Sequence, residues 1–461
     1  MTAQLFQQAL NRHEAGDLNA AGDLYRAVLK ADPNHADAWY LLGFVDLQRG
    51  DHRSAVERFD RALALRPRFA DAHLNRASAL AELGDLEGAM AGWRTALSVK
   101  PDIAVAHANL GATLWKLGRI PEALPHLLAH AEADKDADMV FEMALTAAKH
   151  HLLPLACQAA EATLRLRPND AHAYVFLSMQ LFAMKRFADA EAAARQAIDL
   201  APRSADAHGA LGHALFGQWR NAEAGEAFAA ALIAAPDRDD FRHYHAIVAG
   251  TEDEAAKLVY ARDIFDAHAD TFDRLLVEGL GYQTPQIVAD ELTAAGAFDV
   301  TRPVRIVDLG CGTGLCGVAL KPQAAFLVGL DISPRMVAQT KARGIYDEAL
   351  ESDLVPYLDA HAASFDVAVA GDVLVYVGGL SKLFAAVRSA LVPGGWYTFS
   401  IETTDKADVL GLPTGRFAHN PDYIRTLAAQ AGFTVVRERS AVLRKDGDSH
   451  IDGLVFTLRA T

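Results

Sequence analysis

Two patterns of apolar positions divide this chain near its middle. Up to about residue 237, apolar residues recur at intervals of three and four, which predicts amphipathic helices. Beyond about residue 300, short β-branched runs such as Val304 to Val307 alternate with helical stretches. That alternation is typical of an α/β unit with a parallel sheet. We therefore expect an α-helical region, an α/β region, and linking helices over residues 238–299.

The helical region repeats itself about every 34 residues. Prolines mark the period at Pro33, Pro67, Pro101, Pro168, Pro202 and Pro236, with intervals of 34, 34, 67, 34 and 34. Each proline should end the second helix of its unit, because proline cannot continue a helix. Packing residues keep the same phase before these prolines: Trp39, Leu42, Gly43, Ala55, Phe59, Ala62, Leu110, Gly111, Ala123, Tyr174, Leu177, Ala190, Leu211, Gly212, Ala224 and Phe228.

These residues resemble the tetratricopeptide repeat (TPR) family over residues 1–237, in about seven units. One unit near residues 137–168 is degenerate, because its large packing residues are alanines. The resemblance implies an α-solenoid with a groove that binds a protein or peptide. The groove positions are Tyr40, Phe44, Leu74, Trp115, Lys116, Val175, Met179 and Phe182, with Asn75 and Asn109 either contacting a peptide backbone or serving as surface polar residues. His73, His107 and His208 fall at one packing position, and we expect packed core histidines there rather than a metal site.

The stretch Val307 to Gly314 carries the chemistry of the second region. Asp308 ends the first strand, three alternate glycines (Gly310, Gly312 and Gly314) follow, and an apolar helix begins at Leu315. A strand, a glycine turn and a helix let a ligand lie against bare backbone. Gly312 to Gly317 also matches the dinucleotide pattern G-x-G-x-x-G, but the match begins late after the strand. Since a carboxylate there would repel a pyrophosphate, a cationic cofactor without phosphate is favoured.

The series Asp308-x-Gly310-x-Gly312-x-Gly314, Asp331, Asp353, Asp372 and Pro393-Gly394-Gly395 resembles the class I S-adenosylmethionine (SAM) methyltransferases over residues 300–461. The expected fold is a doubly wound, Rossmann-like sheet that ends in an antiparallel strand pair. The resemblance implies that Gly310 and Gly312 hold the methionine part of SAM, with Asp308 beside its amino group. It also implies that Asp331 binds the ribose, and that Asp353 with Leu354 binds the adenine. Cys311, Ile332 and Asp372 complete the predicted cofactor-binding set.

Acceptor residues are expected after the fourth and fifth strands. The fourth is followed by Asp372 and Tyr376, and the fifth by Glu402, Arg416 and His419. We predict His419 as a general base, Arg416 as a partner for an anionic substrate group, and Tyr376 as a further catalytic residue. Surface or packing duty is the alternative for each. Many amine-directed methyltransferases carry an Asn/Asp-Pro-Pro-aromatic tetrad after the fourth strand, and this chain has Gly371-Asp372-Val373-Leu374 there. An oxygen, a carboxylate or a protein side chain therefore remains possible as the acceptor.

The helices over residues 238–299 have two interpretations. They form either a spacer or a lid over the cofactor. In the second case Tyr260, Phe265, Phe272 and Tyr282 are the candidates to face it, although aromatic residues at helical spacing also form cores.

The composition limits the kinds of partner that we expect this protein to bind. Acidic residues outnumber basic ones, 59 to 44, for a net charge of −15, which argues against nucleic acid. Three cysteines make no disulfide framework, and no metal site is expected. The N-terminus does not resemble a signal peptide and no apolar run reaches membrane-spanning length, so a cytoplasmic protein without membrane contact is expected.

The predicted function is methyl transfer from SAM to an acceptor that the TPR array recruits, either a protein or a carrier-bound small molecule. The alternative is an interaction protein whose α/β domain binds SAM without turnover. The sequence leaves the oligomeric state open.

Overall fold

The computed structural model describes residues 2–251, 253–270, 272–273, 281–298, 304–446 and 449–461. They form two compact units, Met1–Pro202 and Arg203–Thr461. The domain boundary predicted at residue 237 therefore lies inside the second unit. Among the described residues, none of the helices combines the length and the apolar character that crossing a membrane requires.

The first unit consists of antiparallel helix pairs. In each pair a helix of 13 residues is followed by one of 14 residues. The helices are α1 (Thr2–Glu14), α2 (Leu18–Ala31), α3 (Ala36–Gln48), α4 (His52–Leu65), α5 (Ala70–Glu82), α6 (Leu86–Val99), α7 (Ala104–Lys116), α8 (Ile120–Ala133), α9 (Ala137–Lys149), α10 (Leu153–Leu166), α11 (Ala171–Ala183) and α12 (Phe187–Leu200).

The turn inside each pair follows the repeat. In the early pairs it contains a glycine with a positive φ of 73° to 85°: Gly16, Gly50, Gly84 and Gly118. The next residue caps the second helix where it is aspartate; the Asp51 carboxylate accepts from the Ser54 N–H at 3.2 Å. In the later pairs of this unit His151 and Lys185 adopt the same left-handed conformation at φ 58° and 59°. Such a conformation favours glycine, so these two turns carry backbone strain.

The unit near residues 137–168 is degenerate in sequence but regular in structure. Helices α9 and α10 have the same lengths as those of the other pairs. The difference lies in the linker before them, where residues 134–136 replace the four-residue linker found, for example, at residues 66–69. This deletion of one residue explains why one proline interval is 67.

The prediction that His73 and His107 are packed core histidines is wrong. Both are only half-buried, as is His208. The Nε2 atom of His73 lies 2.9 Å from the Pro67 carbonyl oxygen, and that of His107 lies 2.9 Å from the Pro101 carbonyl oxygen. Trp39 makes the same contact, because its Nε1–H donates to the Pro33 carbonyl at 2.8 Å. The shared property of this position is therefore a ring N–H that satisfies a carbonyl at the end of the preceding helix.

The second unit begins with helices and continues as a sheet. The helices before the sheet are α13 (Ala205–Gly217), α14 (Asn221–Ala234), α15 (Asp239–Ala249), α16 (Glu254–His268) and α17 (Thr284–Ala295). The pair α13/α14 is the seventh repeat pair of the chain. Gly212 allows its close packing, because a Cβ there would lie 2.7 Å from the Phe228 ring.

The sheet has seven strands in the order β3-β2-β1-β4-β5-β9-β8. Strands β1 to β5 are parallel, whereas β9 runs antiparallel to β5 and β8 antiparallel to β9. The strands are β1 (Val304–Leu309), β2 (Ala324–Asp331), β3 (Glu348–Glu351), β4 (Phe365–Ala370), β5 (Leu391–Glu402), β8 (Phe433–Asp446) and β9 (Ser449–Ala460), and β6 (Val409–Gly411) pairs separately with β7 (Phe417–His419). The intervening helices are α18 (Leu315–Leu320), α19 (Pro334–Arg343), α20 (Leu354–Asp359), α21 (Ser381–Ala390) and α22 (Pro421–Gln430).

Both faces of the sheet are covered. Along β1, Val307 and Leu309 belong to one apolar cluster and Ile306 to the other, as alternation along a strand requires. The arrangement confirms the predicted fold class, an α-solenoid followed by a doubly wound α/β unit with antiparallel C-terminal strands. Reversal of strand order between β1 and β4 also creates a crevice at the carboxyl ends of the strands, where such sheets bind ligands.

Candidate active site

A cavity of about 670 Å³ opens at this edge of the sheet. Its volume lies within the range of about 300–1,000 Å³ that is usual for small-molecule sites. Ten of the predicted site residues line it: Gly310, Cys311, Gly312, Asp331, Ile332, Asp353, Leu354, Asp372, Tyr376 and Arg416. Asp308 and His419 are absent from the lining.

The glycine turn brings bare backbone to the cavity. Gly310 and Gly312 have φ values of 66° and 55°. A Cβ on Gly310 would lie 2.6 Å from a methyl of Val373, so a side chain cannot be accommodated there. The N–H of Gly312 donates to Asp331 Oδ2 at 2.8 Å, which ties the turn to the end of β2.

Asp331 is a buried carboxylate at the cavity wall. Its Oδ1 accepts from the Ser333 N–H at 2.9 Å, and its side chain is almost inaccessible to solvent. Burial raises the pKa of Asp331, and the N–H groups of Ser333, Gly312 and Ile332 oppose that rise. Each carboxylate oxygen has a second lone-pair site, so Asp331 can still accept hydrogen bonds from the hydroxyls of a ligand.

Asp353 lies beside Asp331 at the end of the neighbouring strand. The Ser352 N–H donates to the Asp331 carbonyl oxygen at 2.9 Å, which holds the two strand ends together. Asp353 precedes α20, but its side chain makes no capping hydrogen bond to that helix. Its carboxylate and Leu354 line the cavity instead.

Asp308 lies behind the glycine turn. It is fully buried, its Oδ2 accepts from the Tyr346 hydroxyl at 2.5 Å, and its Oδ1 has no hydrogen-bond partner among the described residues. Burial raises the pKa of Asp308 to about 7, although the Tyr346 hydroxyl opposes the rise. Tyr346 is not among the predicted site residues. The signal for it is Gly329, in the middle of β2, where a Cβ would lie 2.8 Å from the Tyr346 ring.

The other end of the cavity contains a network of four charges. Asp372 has a φ of 61°, which is strained for a residue with a side chain, and Ser400 Oγ accepts from its N–H at 2.8 Å. Arg444 Nη1 donates to both Asp372 oxygens at 2.7 and 2.8 Å, and Arg444 Nη2 donates to Glu402. Arg416 Nη1 also donates to Glu402, at 3.2 Å. Burial raises the pKa of Asp372, whereas the positive charge of Arg416 lowers it.

Arg444 is likewise not among the predicted site residues. Its side chain is only 3% exposed and it lines the cavity. It lies 72 residues beyond Asp372 in a strand without a motif, so sequence spacing gives no signal for the pair.

His419 does not occupy the position that its predicted role requires. Its side chain is fully buried and its Nε2 lies 3.0 Å and 3.1 Å from the carbonyl oxygens of Val377 and Gly378. The ring therefore donates to backbone between β7 and the loop after β4, outside the cavity lining. Burial lowers the pKa of His419 despite these two bonds. We correct the assignment of His419 as a general base, because its other nitrogen, Nδ1, is buried outside the cavity lining and cannot reach an acceptor in the cavity.

The helices before the sheet cover one side of the cavity. Phe265, Phe272 and Tyr282 line it, as the lid interpretation expects. Tyr260 does not, since its ring stacks on His243 with 4.2 Å between centroids and its hydroxyl lies 2.9 Å from the Tyr244 hydroxyl.

Three aspartates tie this covering segment to the glycine turn and α19. Asp266 accepts from Ser333 Oγ at 2.5 Å, and Asp270 pairs with Arg335 at 2.6 Å. Asp273 accepts from Thr313 Oγ1 and pairs with Arg343. The partners that the structure describes for these aspartates belong to the glycine turn, to α19 and to the residue before it.

Comparison with known proteins identifies the two kinds of domain. Residues 307–397 match a family model described as a methyltransferase domain. Models of tetratricopeptide repeats match residues 12–55, 45–93 and 177–239, and a TPR repeat model matches residues 77–118.

Several known methyltransferases are similar to parts of the chain. The 18S rRNA (guanine-N(7))-methyltransferase of Bos taurus is 24% identical over 144 residues, which cover 29% of this chain and 47% of that protein. The ubiquinone biosynthesis O-methyltransferase of Paraburkholderia phymatum is 34% identical over 106 residues, which cover 21% of this chain and 43% of that protein. The chain thus spans less than half the length of these two relatives.

Solved structures give weaker likenesses. The magnesium protoporphyrin IX methyltransferase of Synechocystis PCC 6803, with bound S-adenosylhomocysteine (SAH), has a TM-score of 0.36 and 18% identity, covering 44% of this chain and 100% of that one. A SAM-dependent methyltransferase of Leishmania major has a TM-score of 0.39 and 16% identity, covering 48% and 90%.

The family matches confirm the predicted domain classes. The chain carries TPR repeats and a methyltransferase domain, and S-adenosylmethionine is the cofactor of that domain class, as predicted.

Proposed function

We propose that this protein transfers a methyl group from SAM to an acceptor that its repeat array recruits. The observation that carries the proposal is the meeting of Gly310, Gly312, Asp331 and Asp353 at one cavity. These residues come from the ends of three neighbouring parallel strands, in the arrangement that a phosphate-free nucleoside requires.

The residues present fit SAM. Asp331 would accept from the ribose hydroxyls, Asp353 would accept from the adenine amino group, and the Gly310 and Gly312 backbone would contact the methionine part. Asp308 is fully buried behind the glycine turn, so it would act on the ammonium group through its charge rather than by contact. No phosphate-binding cation is needed in this scheme.

When bound, SAM supplies a methyl group on a cationic sulfur. The protein itself must hold the acceptor atom in line with the methyl group, with about 3–3.5 Å between the reacting atoms, and must exclude water. Phe265, Phe272 and Tyr282 would exclude water as a lid, and aromatic faces also favour a cation. Tyr376, whose ring packs on Phe265 with 5.0 Å between centroids, and Arg416 would orient the acceptor.

Contacts within the second unit support recruitment by the repeats. Helix α15 follows the seventh repeat pair directly, and its His243 Nε2 lies 3.1 Å from the Gly415 carbonyl oxygen. Gly415 precedes Arg416, so the segment that carries Arg416 packs against α15, the helix that follows the repeats in the chain. A Cβ on Gly415 would lie 2.8 Å from the Tyr244 hydroxyl, which shows how closely α15 packs there. We infer that the acceptor is a protein, or a small molecule carried by one.

The first experiment measures cofactor binding by isothermal titration. Wild type should bind SAM and SAH, and Asp331→Ala should bind both about a hundredfold more weakly, since the ribose loses a buried acceptor. Asp359→Ala, at an exposed acid of the same domain, is the matched control and should bind like wild type. Wild type that fails to bind, or an Asp331→Ala variant with unchanged affinity, would contradict the proposal.

A second candidate function is a SAM-binding interaction protein without turnover. The observation in its favour is that Asp372 and Glu402 are paired with Arg444, while His419 binds backbone, so the acceptor end offers no clear general base. The two candidates separate when the partner captured by the full chain is supplied with labelled SAM. Transfer of label supports the enzyme, whereas SAM binding without label transfer supports the second candidate.

A further inference from the structure

The two ends of the cavity differ in charge. The end formed by β2 and β3 presents the carboxylates of Asp331 and Asp353. Among the described residues, the remaining lining includes four cations, Lys257, Lys382, Arg416 and Arg444, and one carboxylate, Asp372. This concentration of positive charge is unusual for a chain with a net charge of −15.

Two of these cations are not equivalent. Arg444 is 3% exposed and both its terminal nitrogens bind carboxylates, so its charge is compensated inside the protein. Arg416 is 26% exposed at the cavity wall and shares Glu402 with Arg444, through one contact of 3.2 Å. A guanidinium has five N–H donors, and Glu402 with the neighbouring Tyr376 can occupy only part of them. Of the two arginines, Arg416 is therefore the one with donors left for a ligand.

The surroundings of Arg416 restrict the kind of ligand. Apolar side chains line the same cavity, namely Leu258, Ala261, Phe265, Val373, Val377 and Leu383. A wholly apolar acceptor would remove water from Arg416 without replacing its hydrogen bonds, which is costly. A phosphate dianion would bring two charges close to Asp372 and Glu402. A carboxylate brings one charge and matches the planar guanidinium.

We propose that the methyl acceptor carries a single carboxylate on an apolar body, and that Arg416 binds this carboxylate while Lys382, exposed at the cavity rim, adds to the positive potential. This inference rests on the proposed function, because it names the substrate class of the same cavity. Arg444 serves here as a positioning residue that holds Glu402 and Asp372 in place.

The test measures probe binding to the full chain saturated with SAH, by titration calorimetry. The probes are benzoate, cinnamate and octanoate, each paired with its primary amide, together with phenyl phosphate. At least one carboxylate should bind at least about tenfold more tightly than its amide, equal to about 1.4 kcal/mol. Arg416→Gln should abolish this difference, and Arg416→Lys should restore part of it.

The matched control is Arg425→Gln, which removes an arginine from α22 that pairs with Glu438 and Asp422 at the surface. It should leave probe binding unchanged. SAH binding to Arg416→Gln at wild-type affinity shows that the variant is folded. If SAH does not bind the wild type, the proposed function itself is contradicted. If SAH binds normally, three outcomes would contradict the carboxylate inference alone. They are that no carboxylate binds better than its amide, that phenyl phosphate binds best, or that Arg416→Gln has no effect.

Discussion

The two compact units bury very different side chains. In the first unit the core consists mainly of alanines with a few large residues such as Tyr25, Phe59 and Trp93, repeated along the array. In the second unit Asp308, Glu402 and Arg444 are nearly or completely inaccessible. Buried charges are costly unless they are paired, and they concentrate at functional sites. The second unit thus concentrates buried ionisable groups at one edge of its sheet, whereas the first unit is held together by repeated apolar packing.

The units also differ in how far apart in sequence their contacts are. In the first unit each helix packs on its neighbours in the chain, as in other solenoids. In the second unit Arg444 reaches Asp372 across 72 residues, and His243 reaches Gly415 across 172 residues. We therefore expect a destabilising substitution to affect only the neighbouring helices in the first unit, but to affect distant elements in the second.

The largest expected effect comes from making the same kind of cavity in the core of each unit. Phe59 in α4 and Phe399 in β5 are both fully buried, so alanine at either position should cost about 3–5 kcal/mol. Hydrogen exchange should show faster exchange in Phe59→Ala only in α3 to α6, because repeats transmit stability to their neighbours. In Phe399→Ala exchange should accelerate throughout the sheet.

The same two variants should differ in cofactor binding. Phe59→Ala should keep wild-type SAH affinity and Phe399→Ala should lose it. If exchange in Phe59→Ala accelerated across the sheet as well, or if both variants lost SAH, the units would not respond independently and the comparison would fail.

A smaller effect concerns the buried carboxyl of Asp308. Its pKa is raised to about 7 in the folded protein, so between about pH 4 and pH 7 the native state holds a proton that the unfolded state has lost. The free energy of unfolding should therefore fall as pH rises through this window, by on the order of 2–4 kcal/mol from this group. Asp308→Asn cannot ionise and should lack this part of the pH dependence.

Urea unfolding of SAH-free protein between pH 5 and pH 8 measures the difference. The Asp308→Asn variant should gain stability relative to wild type as pH rises. A constant difference between the two proteins across the window would mean that Asp308 is ionised in both the folded and the unfolded state, and would contradict a pKa raised by burial.

The smallest effect tests the turns of the repeat. His151 has a φ of 58° and is exposed, and Gly118 occupies the equivalent turn of the preceding pair with a φ of 73°. His151→Gly should raise the free energy of unfolding by about 1 kcal/mol, and Gly118→Ala should lower it by a similar amount. Denaturant titration of both variants measures the pair of shifts. Shifts of the same sign would show that side-chain contacts, rather than backbone conformation, decide these turns.

The sequence by itself determined the local features of this protein. The 34-residue period predicted the helix pairs, because each pair repeats the same contacts over short distances. The acids and glycines at Asp308, Gly310, Gly312, Asp331 and Asp353 predicted which strand ends meet, because a parallel sheet brings its carboxyl strand ends to one edge whatever the connecting loops are. Those residues were readable because regular structure fixes their positions.

Only the tertiary structure decided the charge network around Asp372 and the boundary between the two units. Arg444 compensates Asp372 and Glu402 from a distant antiparallel strand, Tyr346 fills the space above Gly329, and His419 turns to backbone carbonyls. The seventh repeat pair follows the sequence period of the array but packs with the α/β unit. These features depend on which surfaces meet after folding, and on how buried charge is compensated there, so no spacing within the chain specifies them.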